Sequence, residues 1–289
     1  MSPVATALVV LLLVSGMVAM GTSTSIGELR RLLRRPAPLV LAVATNLILI
    51  PAVALVLLDR LDLDPSTALA LMLVAAAPGG GTGALLSLHV RGDRAHAVAL
   101  QVILAVTSLV AAPLWLHVYD GTGDGTDRID LTRLVVALVM FQWAPLATGL
   151  ALSARRPAVA ARVHPRARRV ADLLLAAVIV DLLITSGSEI GKNRADTLVG
   201  IGLVLGLTVL GGLAGTGEPA VRRATAMTTL VRNLSLALAA TAFVEDADAA
   251  ALVVLTYGLA MYLLAVAAVL VGRTRQVPTG RRPRSAGTP

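Results

Sequence analysis

Pro78-Gly79-Gly80-Gly81-Thr82-Gly83 lies in the middle of an apolar run extending from about residue 66 to 90. A helix crossing a hydrocarbon core of roughly 30 Å needs about 20 mainly apolar residues, and the run is long enough. A proline followed by three glycines cannot continue an unstrained helix. Irregular backbone at that depth is tolerated only where protein covers it or where it lines a watery cavity. The string therefore predicts two half-helices meeting at a site. A phosphate-loop reading fails, because no strand precedes the string and no Gly-Lys-Ser/Thr closes it.

The rest of the chain fits a membrane protein. Of its 289 residues 56% are hydrophobic and 15% charged, and the mean hydropathy is +0.82. Soluble domains carry about a quarter charged residues, so this composition excludes a soluble enzyme. With no cysteine, a disulfide-stapled domain is excluded as well. The basic excess is distributed between apolar runs rather than gathered on a soluble module, which excludes nucleic-acid binding.

Nine apolar runs stand at about 4–22, 37–58, 66–90, 95–118, 132–153, 171–187, 196–215, 221–243 and 248–271. The first has no basic residue before it and flows into another span, so it is read as a retained helix rather than a signal peptide. Nineteen basic residues fall in alternate connections and the tail, among them Arg30, Arg31, Arg34, Arg35, Arg91, Arg94 and six between Arg155 and Arg169. Five fall on the other side: Arg60, Arg128, Arg133, Lys192 and Arg194. Because cytoplasmic loops hold the positive charge, the expected protein is a multi-pass cell-membrane protein with its amino terminus outside and its carboxyl terminus in the cytoplasm. Residues 1–272 form the transmembrane domain, and 273–289 a basic, disordered cytoplasmic tail drawn to anionic lipid.

A second irregularity, Thr228-Thr229-Leu230-Val231-Arg232-Asn233, interrupts the eighth run with a charge and an amide. The two interrupted spans are five apart, so they run in opposite directions. An inverted repeat whose halves each give one discontinuous helix to a shared midplane site produces this arrangement. The halves are about 1–131 and 132–272, the first lacking its leading helix. The expected fold is an all-α inverted-repeat bundle of about nine helices, two of them broken and crossing. The pairs Gly202/Gly206 and Gly211/Gly215 are read as close helix packing.

These features come together in a resemblance to the bile acid:sodium symporter family. Met20-Gly21-Thr22-Ser23 and the basic run Leu29-Arg30-Arg31-Leu32-Leu33-Arg34-Arg35-Pro36 resemble the family's Met-Gly-Leu-Ser and the loop after it. Asn46 through Pro51 resembles its Gln-Phe-x-x-x-Pro. The string from Pro78 to Ala84 with Arg91-Gly92-Asp93 is similar to its Pro-Gly-Gly-Thr-Ala-Ser-Asn and trailing turn. Arg232-Asn233-Leu234-Ser235-Leu236-Ala237-Leu238-Ala239 resembles the stretch after its second break. The resemblance implies a ten-helix fold, or nine without the leading helix, in which a core with two crossing broken helices moves against a panel.

The chain departs from the family at the ion ligands. Where the resemblance implies Ser and Asn in the first break, the chain has Gly83 and Ala84; for Ser and Thr in the next helix it has Ala97 and Gln101. For Glu and Gln in the second break it has Thr228 and Arg232, and only Asn46, in place of Gln, keeps a comparable oxygen. A site that has lost its carboxylate and gained a guanidinium repels sodium, so Na+ is not expected as the coupling ion. Arg232 is expected to occupy the space and role of a bound cation.

A charge at mid-depth needs a partner. For Arg232 the readings are a counter-charge for an anionic substrate or a structural clamp on carbonyls. For Asp181, in the sixth span, they are a proton carrier with raised pKa, a partner of Arg232, or a residue at a wet helix end. His89 and His96 are read at the cytoplasmic interface, with a proton role as the alternative, and His117 and His164 as solvated at or beyond helix ends. Trp115 and Tyr119 fit an interfacial belt; for Gln142 and Trp143, before Pro145, the readings are helix packing or a place on the cavity wall. No cluster has metal spacing, no catalytic constellation is present, and no cofactor is implied.

The sequence thus points to alternating-access transport of a small organic anion of bile acid, pantoate or 2-oxo acid type, facilitated or coupled to H+. The expected substrate-binding residues are Arg232, Asn233, Thr228, Gly80, Gly81, Thr82, Gly83, Asn46 and Gln101. The alternatives are a sodium-coupled symporter with altered ligands and a sensor or scaffold that binds without transporting.

Overall fold

The computed structural model describes residues 3–24, 27, 36–80, 82–121, 131–190, 195–244 and 246–274. Every regular element among them is a helix. In chain order these are α1 (Pro3–Ser23), α2 (Ala37–Ala44, a π turn Thr45–Leu49, then Ile50–Leu58), α3 (Pro65–Ala76), α4 (Gly83–His89) and α5 (Arg94–Gly121). There follow α6 (Leu131–Leu138, a π turn Val139–Trp143, then Ala144–Arg155), α7 (Pro157–Ile190), α8 (Ala195–Leu213), α9 (Pro219–Leu230), α10 (Leu234–Thr241) and α11 (Ala247–Thr274).

Among the described residues five helices are long and apolar enough to cross a bilayer: Ala37–Leu58, Arg94–Tyr119, Val135–Arg155, Ala195–Leu213 and Ala247–Gly272. Each of the two interrupted runs is split into a pair of shorter helices, α3 with α4 and α9 with α10.

The helices pack as two groups. In the first, α1 lies against α6 and α7. Gly21 and Gly149 let α1 and α6 touch backbone to backbone, since a Cβ on Gly149 would stand 2.9 Å from the Gly21 Cα. The second group surrounds α3, which α2, α5, α8, α10 and α11 all contact. From Leu69 to Ala76 every residue of α3 is buried, as expected of a helix apolar all round.

Each π turn sits just ahead of a proline, Pro51 in α2 and Pro145 in α6. Pro51 has no N–H to offer the Leu47 carbonyl four residues back. Trp115 Nε1 of α5 donates to that carbonyl at 2.7 Å, so Trp115 clips α5 to α2 rather than only marking an interface. Gln142, at the other π turn, is buried and donates to the Ala105 carbonyl and Ser108 Oγ at 2.8 and 2.9 Å, joining α6 to α5.

Two expectations change. The arginine-rich stretch after Arg155 is helical: α7 begins at Pro157, a residue suited to a first helical turn, and runs 34 residues through Arg162, Arg166, Arg168 and Arg169. Of the glycine pairs, Gly211 and Gly215 do meet neighbours, Thr45 and Ile50 for one and Thr225 for the other, whereas a Cβ on Gly202 or Gly206 would meet nothing within 4 Å. Those two glycines face away from the helices described.

Candidate functional site

The two interruptions meet. In the first, the chain leaves α3 at Ala77 (φ −106, ψ 71) and turns through Gly79 at φ +82, a left-handed conformation that favours glycine. In the second, Val231 is extended (φ −85, ψ 100) and Asn233 opens α10. Gly80 N–H donates to the Val231 carbonyl at 3.1 Å, and Asn233 N–H donates to the Ala77 carbonyl at 2.9 Å. Each unwound segment thus satisfies backbone groups of the other, as irregular backbone in an apolar interior requires. The approach is close enough that a Cβ on Gly80 would overlap the Arg232 carbonyl.

The Arg232 side chain is 1% exposed. Its Nη1 donates to Asn46 Oδ1 at 2.8 Å, its Nε to the Val74 carbonyl at 3.2 Å, and its Nη2 to the Ala75 carbonyl. Val74 and Ala75 lie in the last turn of α3, where the dipole is negative; the residue four beyond Val74 is Pro78, which has no N–H, so within the backbone the Val74 carbonyl takes the Ala77 N–H at 3.2 Å instead. The guanidinium therefore caps the carboxyl end of the half-helix. Asn46 is held in turn, its Nδ2 donating to the Ala42 carbonyl and to Thr229 Oγ1 at 2.9 and 2.8 Å.

At the start of α4, Gln101 Oε1 accepts from Ala84 N–H at 2.9 Å. At the start of α10, Asn233 Oδ1 accepts from Leu236 N–H at 3.1 Å and Ser235 Oγ at 3.0 Å. Asn233 Nδ2 and Thr228 Oγ1 are buried without a partner among the described residues.

A cavity of about 190 Å³ lies where the crossing faces the α1–α6–α7 group. Five expected site residues line it: Gly80, Thr82, Gln101, Arg232 and Asn233. Thr82 Oγ1 is 3.0 Å from the Tyr262 hydroxyl, which also lines it. Asn46 and Thr228 are fully buried behind the crossing, and Gly83 packs against Thr228 and Val231; none of the three reaches the cavity wall. Gly81 and the side chain of Asp181 lie outside the described residues.

The opposite wall holds residues the sequence did not single out as a site. His164 and Arg168 of α7 line the cavity there, and Arg94 of α5, the helix that carries Gln101, lines it as well. His164, expected in solvent, lies within α7, and its Nδ1 is 2.9 Å from the Ala19 carbonyl. The signal was spacing: with Pro157 as a helix start, His164, Arg168 and Asp172 fall four apart on one face. His96, expected at an interface, is buried with Nε2 3.0 Å from Thr225 Oγ1. His89 and His117 are exposed.

An all-helical bundle with several membrane-length apolar helices, in which two interrupted helices clasp around a buried arginine, defines a multi-pass membrane protein with an interior site. The chain belongs to the sodium bile acid symporter family, whose model matches residues 10–193; the family is one of transporters rather than enzymes. Among similar proteins, the human hepatic sodium/bile acid cotransporter is 25% identical over 76% of this chain and 65% of its own length. The rat hepatic sodium/bile acid cotransporter is 24% identical over 63% of this chain and 51% of its own. The mouse sodium-dependent organic anion transporter is 25% identical over 66% of this chain and 51% of its own. The chain thus spans about half to two thirds of the length of these relatives.

Proposed function

We propose that the chain is a nine-span secondary transporter of small organic anions, in which the α1–α6–α7 group rocks against the rest and opens the cavity to each side in turn. The interrupted spans α3–α4 and α9–α10 are counterparts in an inverted repeat with halves of about 1–131 and 132–272. The imbalance of nineteen basic residues against five supports an amino terminus outside, a carboxyl terminus in the cytoplasm and a basic tail over 273–289. The cavity favours a compact substrate: about 190 Å³ falls below the roughly 300–1,000 Å³ of pockets for drug-sized ligands. A pantoate- or 2-oxo-acid-sized monocarboxylate suits it better than a steroid.

The observation that carries the reading is the guanidinium of Arg232 among Asn46 Oδ1 and the carbonyls of Val74 and Ala75. Oxygens of that kind suit an alkali cation, and here a tethered cation takes them. A sodium ion about 4 Å from the guanidinium would meet a repulsion of about 4 kcal/mol at an effective dielectric constant of 20. The built-in charge holds the crossing together without a coupling ion and keeps it positive for an anion, helped by Asn233 Nδ2.

The names of the relatives favour the rival, a sodium-coupled symporter with altered ligands. Full-length protein in liposomes, with labelled pantoate or pyruvate and fixed pH and membrane potential, separates the two. Uptake is expected to be the same with and without an inward sodium gradient; accumulation driven by sodium overturns the proposal.

A further inference from the structure

His164 is a titratable group on the cavity wall with its ring already oriented. The Ala19 carbonyl 2.9 Å from Nδ1 can only accept a hydrogen bond, so Nδ1 carries the hydrogen and Nε2 is the atom left to gain or lose a proton. Both residues belong to the α1–α6–α7 group, so the orientation is kept when that group moves as one body. His is also the side chain suited to changing charge between about pH 5 and 8.

The surrounding charges suit a carboxylate. On α7 itself Arg168 and Asp172 line the cavity, Arg168 Nε standing 3.6 Å from Asp172 Oδ2, with the Asp172 side chain 52% exposed. Arg94 of α5, Arg232 of the second break and Tyr262 of α11 are the other ionisable residues on the wall. The cavity-lining residues of α1 are not ionisable. On α6 and the rest of α7 near His164, Arg155, Arg156, Arg162, Arg166 and Arg169 are exposed and do not line the cavity. The wall is therefore positive, and His164 is the imidazole on it.

Building on the transporter reading, we propose that His164 is the proton-binding residue of this cavity and that a monocarboxylate and a proton cross together. Nε2 takes a proton from water on one side and donates that hydrogen in a bond to the substrate carboxylate. It returns the proton to water on the other side as the substrate leaves. Neutral Nε2 turns a lone pair toward the carboxylate and protonated Nε2 turns a hydrogen, so proton and anion strengthen each other's binding by the same factor.

The test uses the purified full chain, with pyruvate and pantoate as sodium-free choline salts. Thermal unfolding gives the half-saturating concentration of each from about pH 5.5 to about 8, a range over which both carboxylates stay ionised and histidine titrates. For the wild type this concentration is expected to rise about tenfold from the acid to the alkaline end, the size of a typical coupling between two ligands. His164→Asn keeps an amide N–H for the Ala19 carbonyl and His164→Gln sets one near the Nε2 position; neither titrates, and in each the profile is expected to be flat. A flat wild-type profile, or a slope retained in the folded variants, overturns the role of His164. Absence of stabilisation by both probes in all three proteins at every pH overturns the transporter reading and the inference resting on it.

Discussion

The two interruptions reach the same conformation by opposite means. The first is written into its own residues, with Pro78 removing a donor and Gly79 turning at φ +82. The second contains neither proline nor glycine: Leu230, Val231, Arg232 and Asn233 would individually be tolerated in a helix. It is unwound by what it touches, its backbone paired with Ala77 and Gly80 and its side chain drawn into the end of α3. One break is a local property and the other a tertiary one.

The sharpest way to break that comparison is Arg232→Ala. It leaves Asn46 Oδ1 and the Ala75 carbonyl buried without their donor, at about 1–3 kcal/mol for each orphaned acceptor, and takes from the Val74 carbonyl one of its two donors, the Ala77 N–H remaining. The expected loss is about 3–5 kcal/mol, near the upper end for single substitutions. It is read as the largest fall in unfolding midpoint of the series, and a fall as small as that of an exposed substitution means the second break does not depend on its arginine.

Gly80→Ala attacks the contact from the other side. Its Cβ would collide with the Arg232 carbonyl, and overpacking of this kind costs about 1–3 kcal/mol. The mark of the reciprocal pairing is that both segments loosen: faster amide exchange is expected at Asn233 as well as at position 80. Protection lost at position 80 alone would show that the breaks stand independently.

Asn233→Ala removes the cap of α10 and is expected to cost about 1 kcal/mol. Asn233→Asp keeps the accepting oxygen and discards the buried amide nitrogen of this cavity-lining residue. It should recover most of the stability, measured by thermal unfolding, while weakening anion binding; equal losses in both variants would reduce Asn233 to a cap.

The same division explains what could be read from the sequence. The half-helices at Pro78–Gly83 and the turn residues beside them were legible because chain stiffness and missing donors act within a few residues. The second irregularity was visible through Arg232, but its clasp depends on α3, more than 150 residues earlier, which no local pattern reports. Asn46 was picked out by its polarity in an apolar run, though it stands within the π turn Thr45–Leu49 and behind the crossing rather than on the wall. The helical start of α7 was hidden by its arginines, which lower the hydropathy of its first turns, and with it the placement of His164 was lost. The pair Gly202 and Gly206 shows the reverse error, a packing motif with nothing within 4 Å among the described residues.

The length of α7 has a consequence for speed. Its 34 residues, with Pro165 inside them, at 1.5 Å each give about 51 Å of helix, against roughly 30 Å of hydrocarbon. On the proposed topology the surplus, an oar with Arg162, Arg166 and Arg169 exposed along it, stands in the headgroup layer. If the group rocks as proposed, that oar must be dragged through phosphates that bind it. A bilayer rich in acidic lipid would then act as a brake on turnover, leaving affinity untouched.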